Sequence, residues 1–215
     1  TMPFIIQNNL PSSDPNSGYQ VGWTPILYTN YSMSELRFGF FDGDNKTDVI
    51  VKSGNDLLIS KGCNSPWQVW NNTSYSLLEL RFGDFNGDGQ TDLFKSIANW
   101  GYSDAGSSSW ISLNTSVYTY NDLRLGLFNR NTLSDVFLAD GSNFQVSFEG
   151  TGSWRYLIPS SFITNSHRLK VFDFNGDGVS DVLNDFHQVS LGGINAWIPT
   201  TTNSISIANF PYGDF

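Results

Sequence analysis

The residues best placed to do chemistry lie in one turn, Asp84-Phe85-Asn86-Gly87-Asp88-Gly89-Gln90-Thr91-Asp92. Asp84, Asn86, Asp88 and Asp92 put side-chain oxygens at alternate positions, and Gln90 offers a backbone carbonyl. Hard oxygen donors in a short flexible loop suit Ca²⁺. Good turn formers alone explain one such stretch. They do not explain three carboxylates within nine residues, which repel one another unless a cation offsets them. The set is complete again at Asp173, Asn175, Asp177, Val179 (by its carbonyl) and Asp181. A weaker version keeps Asp42, Asp44 and Asp48 but has Phe40 where the first Asp belongs. A fourth, at Leu127–Asp135, keeps only Asp135 among the carboxylates, so no ion is expected there. The expectation is two Ca²⁺ sites and a marginal third, with a structural role.

These turns sit inside a repeat. The unit Leu80–Phe94, L-R-F-G-D-F-N-G-D-G-Q-T-D-L-F, returns at Leu36–Ile50, Leu123–Phe137 and Leu169–Leu183, and begins again at Phe210 before the given sequence stops at Phe215. An independent marker agrees: Trp23, Trp67, Trp110, Trp154 and Trp197 lie 43–44 residues apart. Within a period the apolar pattern alternates, as in strands, and no helical i, i+3, i+4 run survives. Strands are expected near 134–139, 143–148, 153–158, 180–184, 187–191 and 196–199, with a third strand at Trp100–Ser103 and a fourth at Trp110–Asn114.

Four short antiparallel strands per period of about 43 residues describe a propeller blade. The sequence therefore predicts an all-β, five-bladed β-propeller forming a single domain over residues 1–215, with repeats opening near 36, 80, 123, 169 and 210. Phe4–Ile6, Tyr19–Val21 and Trp23–Tyr28 read as the second, third and fourth strands of the last blade, so that residues 1–28 complete it. Sharing a blade between the two ends would close the ring and remove exposed edges.

The motif resembles the FG-GAP/VCBS repeat of the integrin α-subunit propeller, of secreted bacterial proteins and of some propeller lectins. The resemblance is specific at Leu80–Phe94 and Leu169–Leu183, and degenerate at Asn121–Phe137. It implies Ca²⁺ on one rim of the propeller, held by the Asp and Asn positions already named. Propellers of this family often have seven blades, whereas the count here gives five. Members adhere, bind sugars or accompany enzymes, so fold alone does not choose an activity.

Composition narrows the choice. The chain has 215 residues, a net charge of -9 and only 11 scattered Lys and Arg, which argues against nucleic acid or an anionic membrane surface as partner. Aromatic residues make up 15%, ample apolar surface for a folded core. No apolar run is long enough to span a membrane, so no membrane insertion is expected. The start lacks the basic and apolar regions of a signal peptide. The lone Cys63 permits no intrachain disulfide and reads as core filler. Extracellular Ca²⁺ levels would fill modest sites, which points to a secreted protein. Sequons at Asn30, Asn71, Asn72 and Asn114 matter only in a eukaryotic secretory route.

A multivalent lectin is the leading functional expectation, with glycans or glycoproteins as partners, because repeated blades create repeated clefts. Trp100, Tyr102 and Trp70 are the candidate sugar platforms, since Trp100 and Trp70 fall outside the periodic Trp series. The periodic Trp residues read as packing between blades. The alternative is a protein-recognition or adhesion module. An enzyme is not expected: the carboxylates outside the loops show no paired arrangement, and His167 and His187 have no nearby Ser or Cys.

Overall fold

A computed structural model describes residues 4–8, 24–159 and 166–200. The chain divides into two compact units, Thr1–Leu77 and Leu78–Phe215. In the first unit, β1 (Phe4–Asn8) pairs antiparallel with β2 (Thr24–Thr29). A four-stranded sheet follows in chain order: β3 (Arg37–Gly39), β4 (Asp48–Ser53), β5 (Asp56–Ser60) and β6 (Gln68–Asn72).

The second unit holds three more such sheets. One is β7 (Leu80–Gly83), β8 (Asp92–Lys95), β9 (Gly101–Ser103) and β10 (Ile111–Ser112). The next is β11 (Leu123–Gly126), β12 (Asp135–Ala139), β13 (Asn143–Ser147) and β14 (Arg155–Pro159). The last is β15 (Leu169–Phe172), β16 (Asp181–Asn184), β17 (Gln188–Ser190) and β18 (Ile198–Pro199). All pairings are antiparallel between neighbours in sequence. No α-helix occurs among the described residues, and none of their helices could cross a membrane.

The expected strands are present, most of them shortened by a residue or two; β14 starts two residues later and ends one residue later than expected. The N-terminal segment differs. Phe4–Asn8 pairs directly with Thr24–Thr29, so it takes the place of a third strand, not a second. The pairing skips Ile26, just as β5–β6 skips Trp70 one period later. Residues 19–21, Trp23 and the fifth copy at Phe210–Phe215 lie outside the described residues.

Second strands are buried on both faces, which explains their unbroken apolar runs. Along β12 the period of two sorts side chains to opposite sides. Val136 and Leu138 join Phe85, Phe94 and Trp100 of the preceding sheet. Phe137 and Ala139 join Leu169 and Val182 of the following one. Trp154 meets Trp100 edge-on at 5.5 Å, and Trp197 meets Phe144 at 5.8 Å. These two periodic tryptophans therefore pack sheet against sheet.

Backbone joins the sheets as well. The first strand ends in Gly83 or Gly126, where an added Cβ would come within 2.4 Å of Ser134 Oγ or 2.6 Å of Val171. That close approach lets the next sheet's serine lock on. Asp84 N–H donates to Ser134 Oγ (2.9 Å), while Ser134 N–H donates back to the Asp84 carbonyl (2.6 Å). Leu127 and Ser180 repeat both bonds, at 2.8 and 2.6 Å.

Candidate functional site

The last aspartate of each acidic turn opens the second strand and is fully buried: Asp48, Asp92, Asp135 and Asp181. Each accepts two backbone N–H bonds. One oxygen takes the N–H of Phe41, Phe85, Phe128 or Phe174, at 2.7–2.9 Å. The other takes the N–H of Gly62, Ala105, Glu149 or Gly192, in the 3-10 turn after the third strand, at 2.7–2.9 Å. The sequence assigns Asp48, Asp92 and Asp181 to metal. The structure gives them a clamp between turn and sheet that Asp135 also makes in the copy lacking the other acids.

Burial pushes the Asp92 and Asp135 carboxyls up to about 6, against the pull of their backbone bonds. A carboxyl raised from 3.8 stabilises the fold fully below pH 4, and that stability is lost as pH rises through 6. Replacing Asp135 by Ala orphans two buried N–H groups at about 1–3 kcal/mol each. Urea unfolding of Asp135→Ala against wild type should show a cost of about 3 kcal/mol at pH 4.5 that shrinks toward pH 7.5. A cost that grows with pH would contradict the assignment.

The exposed halves of the turns fall into two kinds. In the second turn, Asp84 accepts from Gly87 N–H (2.6 Å) and Gly89 N–H (2.9 Å), Asn86 from Asp88 N–H (3.0 Å), and Asp88 from Gln90 N–H (2.8 Å). The fourth matches it: Asp173 holds Gly176 and Gly178, Asn175 holds Asp177, and Asp177 holds Val179. Those bonds hold the Asp173 carboxyl below its usual value. Three oxygen-bearing side chains thus curl inward on one exposed turn, a donor set that fits a hard divalent cation.

The first and third turns carry their own fastenings. Asp42, Asp44 and Asp48 bring carboxylate oxygens within 4.8 Å of one another. Lys46 bonds Asp44 at 2.9 Å and Lys61 lies 3.4 Å from Asp42, so ammonium groups already sit among these acids. In the third turn, Glu149 Oε1 accepts from Asn129 Nδ2 (2.8 Å) and Asn131 Nδ2 (2.6 Å). Glu149 stands where the other sheets have Gly62, Ala105 and Gly192.

The expected sugar platforms are placed less favourably. Trp100 is only 1% exposed, so its faces are taken by the core. It stands three residues before Ser103, as Leu57 stands before Ser60 and Phe144 before Ser147, which makes it a core substitution. Tyr102 is half-buried and stacks on Phe85 at 5.8 Å. Trp70 is half-buried with the Lys61 ammonium 5.0 Å over its ring.

A cleft of about 360 Å³ opens elsewhere, between the sheets β11–β14 and β15–β18. Phe128, Leu157, Val179, Leu191 and Ile194 line its apolar side. Asn129, Arg130, Asn175, Asp177 and Asn195 supply polar groups. Arg130 was not singled out from sequence, yet a signal exists. It occupies the column of Gly43, Gly87 and Gly176, all left-handed at φ 76, 82 and 77, and holds φ 64 itself. A non-glycine residue there costs about 1–2 kcal/mol. Arg130→Gly should therefore raise the urea midpoint by the equivalent of about 1 kcal/mol.

No protein-family model and no curated protein sequence matches the chain. Among solved structures, an Agrocybe aegerita lectin described by its specific recognition of non-reducing terminal N-acetylglucosamine superposes with a TM-score of 0.58. The likeness is one of fold. Identity is 12% over 83% of this chain, which spans just over half (56%) of the lectin's own length. The Vibrio cholerae biofilm matrix protein Bap1 matches at 17% identity over 75% of this chain and 29% of its own, with a TM-score of 0.38.

Proposed function

We propose that the chain is a glycan-binding β-propeller of the FG-GAP/VCBS type, secreted, with calcium fixing its second and fourth turns. The observation that carries the binding reading is the cleft between adjacent sheets. Its apolar lining suits the C–H face of a sugar ring, and Asn195 beside it suits a hydroxyl. The fold shared with a lectin favours the same reading. The recurring sheet implies further clefts of this kind, hence multivalent binding.

Three carboxylates outside the turns support binding rather than catalysis, because a structural partner already holds them. Asp56 is held by Asn72, Asp140 by Asn143 and Gln145, and Asp185 by Arg168. Calcium, when bound, would neutralise the clustered acids of the second and fourth turns. Asp84, Asn86, Asp88 and the Gln90 carbonyl would hold it in one turn; Asp173, Asn175, Asp177 and the Val179 carbonyl would hold it in the other. The five-blade reading rests on the repeat count and on β1–β2 having the pairing of a third and fourth strand.

A protein partner is the second reading. It is favoured by apolar side chains exposed on the outermost strands: Val69, Ile111, Tyr156 and Ile198. A glycan array probed with the full chain, in calcium and in EDTA, separates the two. Binding of a defined set of saccharides is the expected result. Silence across the array in calcium would sink the lectin reading and leave the protein partner.

A further inference from the structure

We propose that the cleft between β11–β14 and β15–β18 selects saccharides that carry an anionic group, a carboxylate or a sulfate, received by Arg130. This rests on the glycan-binding reading and names the class of sugar for one of its clefts.

Three observations converge on Arg130. First, the chain keeps a long cationic side chain at a left-handed position where the three sibling turns use glycine. Backbone strain of this kind persists where the surrounding structure enforces it, and such residues cluster at ligand sites. Second, the residue lines the cleft. Third, among the described residues its guanidinium has neither an ion pair nor a hydrogen bond. The cationic groups Lys46, Lys61 and Arg168, by contrast, have each found a carboxylate.

The neighbouring acids do not claim it. Glu149 is bonded to the Asn129 and Asn131 amides, and Asp135 to two backbone N–H groups. Asp177 turns one oxygen to Val179 N–H and the other to Asn175 Nδ2. A planar guanidinium presents paired donors that match a carboxylate or sulfate edge, and it is not replaced in this by a lysine. The apolar wall of Leu157, Leu191 and Ile194 would lie against the ring bearing that group. A chain of net charge -9 repels anions at long range, so the preference must arise from this local contact.

The test uses the full chain in calcium against sialylated, uronate-bearing and sulfated oligosaccharides, each paired with its neutral core. Wild type should bind an acidic member about tenfold or more tightly than its core, the worth of one charge-assisted contact. Arg130→Gly should bring that ratio close to one, and Arg130→Lys should leave it in between. The arms tell carboxylate from sulfate. Arg130→Gly should melt no lower than wild type, which separates lost selectivity from misfolding. If both proteins bind acidic and neutral forms alike, the role of Arg130 is overturned while the glycan reading stands. Silence toward every saccharide overturns both. Arg130-dependent capture of an acidic peptide in that case would make the partner a protein.

Discussion

Stripping calcium from the protein should lower its unfolding free energy by about 5 kcal/mol, measured by urea titration in EDTA and in excess calcium. A ligand at a hundred times its Kd stabilises by about 2.7 kcal/mol per site, and two turns are complete. The response should be local as well as large. Amide exchange should quicken at residues 86–90 and 175–179, where backbone N–H groups and neutral side-chain amides, with no ammonium group, hold the acids inward. Residues 129–133 should not respond, because Glu149 fastens Asn129 and Asn131 with no cation. Residues 42–48 should respond little, since Lys46 and Lys61 already sit beside Asp44 and Asp42. Asp88→Ala should remove about half of the calcium effect and leave the EDTA value nearly unchanged. Equal stability in calcium and EDTA would remove calcium from the account.

The second large effect concerns a single methyl group. Gly126→Ala should cost about 3 kcal/mol, the upper range for forcing an atom into a packed interior. Its Cβ would stand 2.6 Å from Val171, 2.8 Å from the Phe128 ring and 2.8 Å from Ser180 Oγ. None of these can retreat freely. Val171 lies on β15, Phe128 carries the bond to Asp135, and Ser180 Oγ accepts the Leu127 N–H. The same substitution at Gly89, whose Cβ would meet nothing within 4 Å, isolates the effect of crowding from that of backbone conformation. There the left-handed φ of 79 should cost about 1 kcal/mol. If Gly126→Ala unfolds like wild type, the two-bond join between these sheets carries little of the stability.

The repeating sheet was legible because two independent markers, the Leu-opened motif and the Trp series, keep one interval. Tertiary packing then obeyed the local pattern: Val136–Ala139 alternates, and its two sides feed two different cores. Side-chain direction was not legible. Spacing shows that Asp92 and Asp181 lie near the other acids. It cannot show that both oxygens point back into the sheet. Partners distant in sequence were hidden for the same reason, as with Glu149 for Asn131 and Lys61 for Asp42. Trp100 stands apart from the periodic tryptophans without being a surface platform. Aligned on Ser103, it falls in the column of Leu57 and Phe144 and reads as core. Arg130 is neither an acid nor an aromatic, and its only mark in the sequence is that its column is otherwise glycine.

The outermost strands bear on behaviour at high concentration. An unpaired strand edge is a template on which another molecule can extend a sheet. Here β10 and β18 offer only two residues each, too few to hold a visiting strand. The longer edges, β6 and β14, have five residues apiece, and each pairs with its neighbour through a shift of register. Such irregularities bend a strand and spoil its match to an incoming one. Brevity on two rims and distortion on the other two equip these four sheets to remain dispersed rather than fuse into fibres.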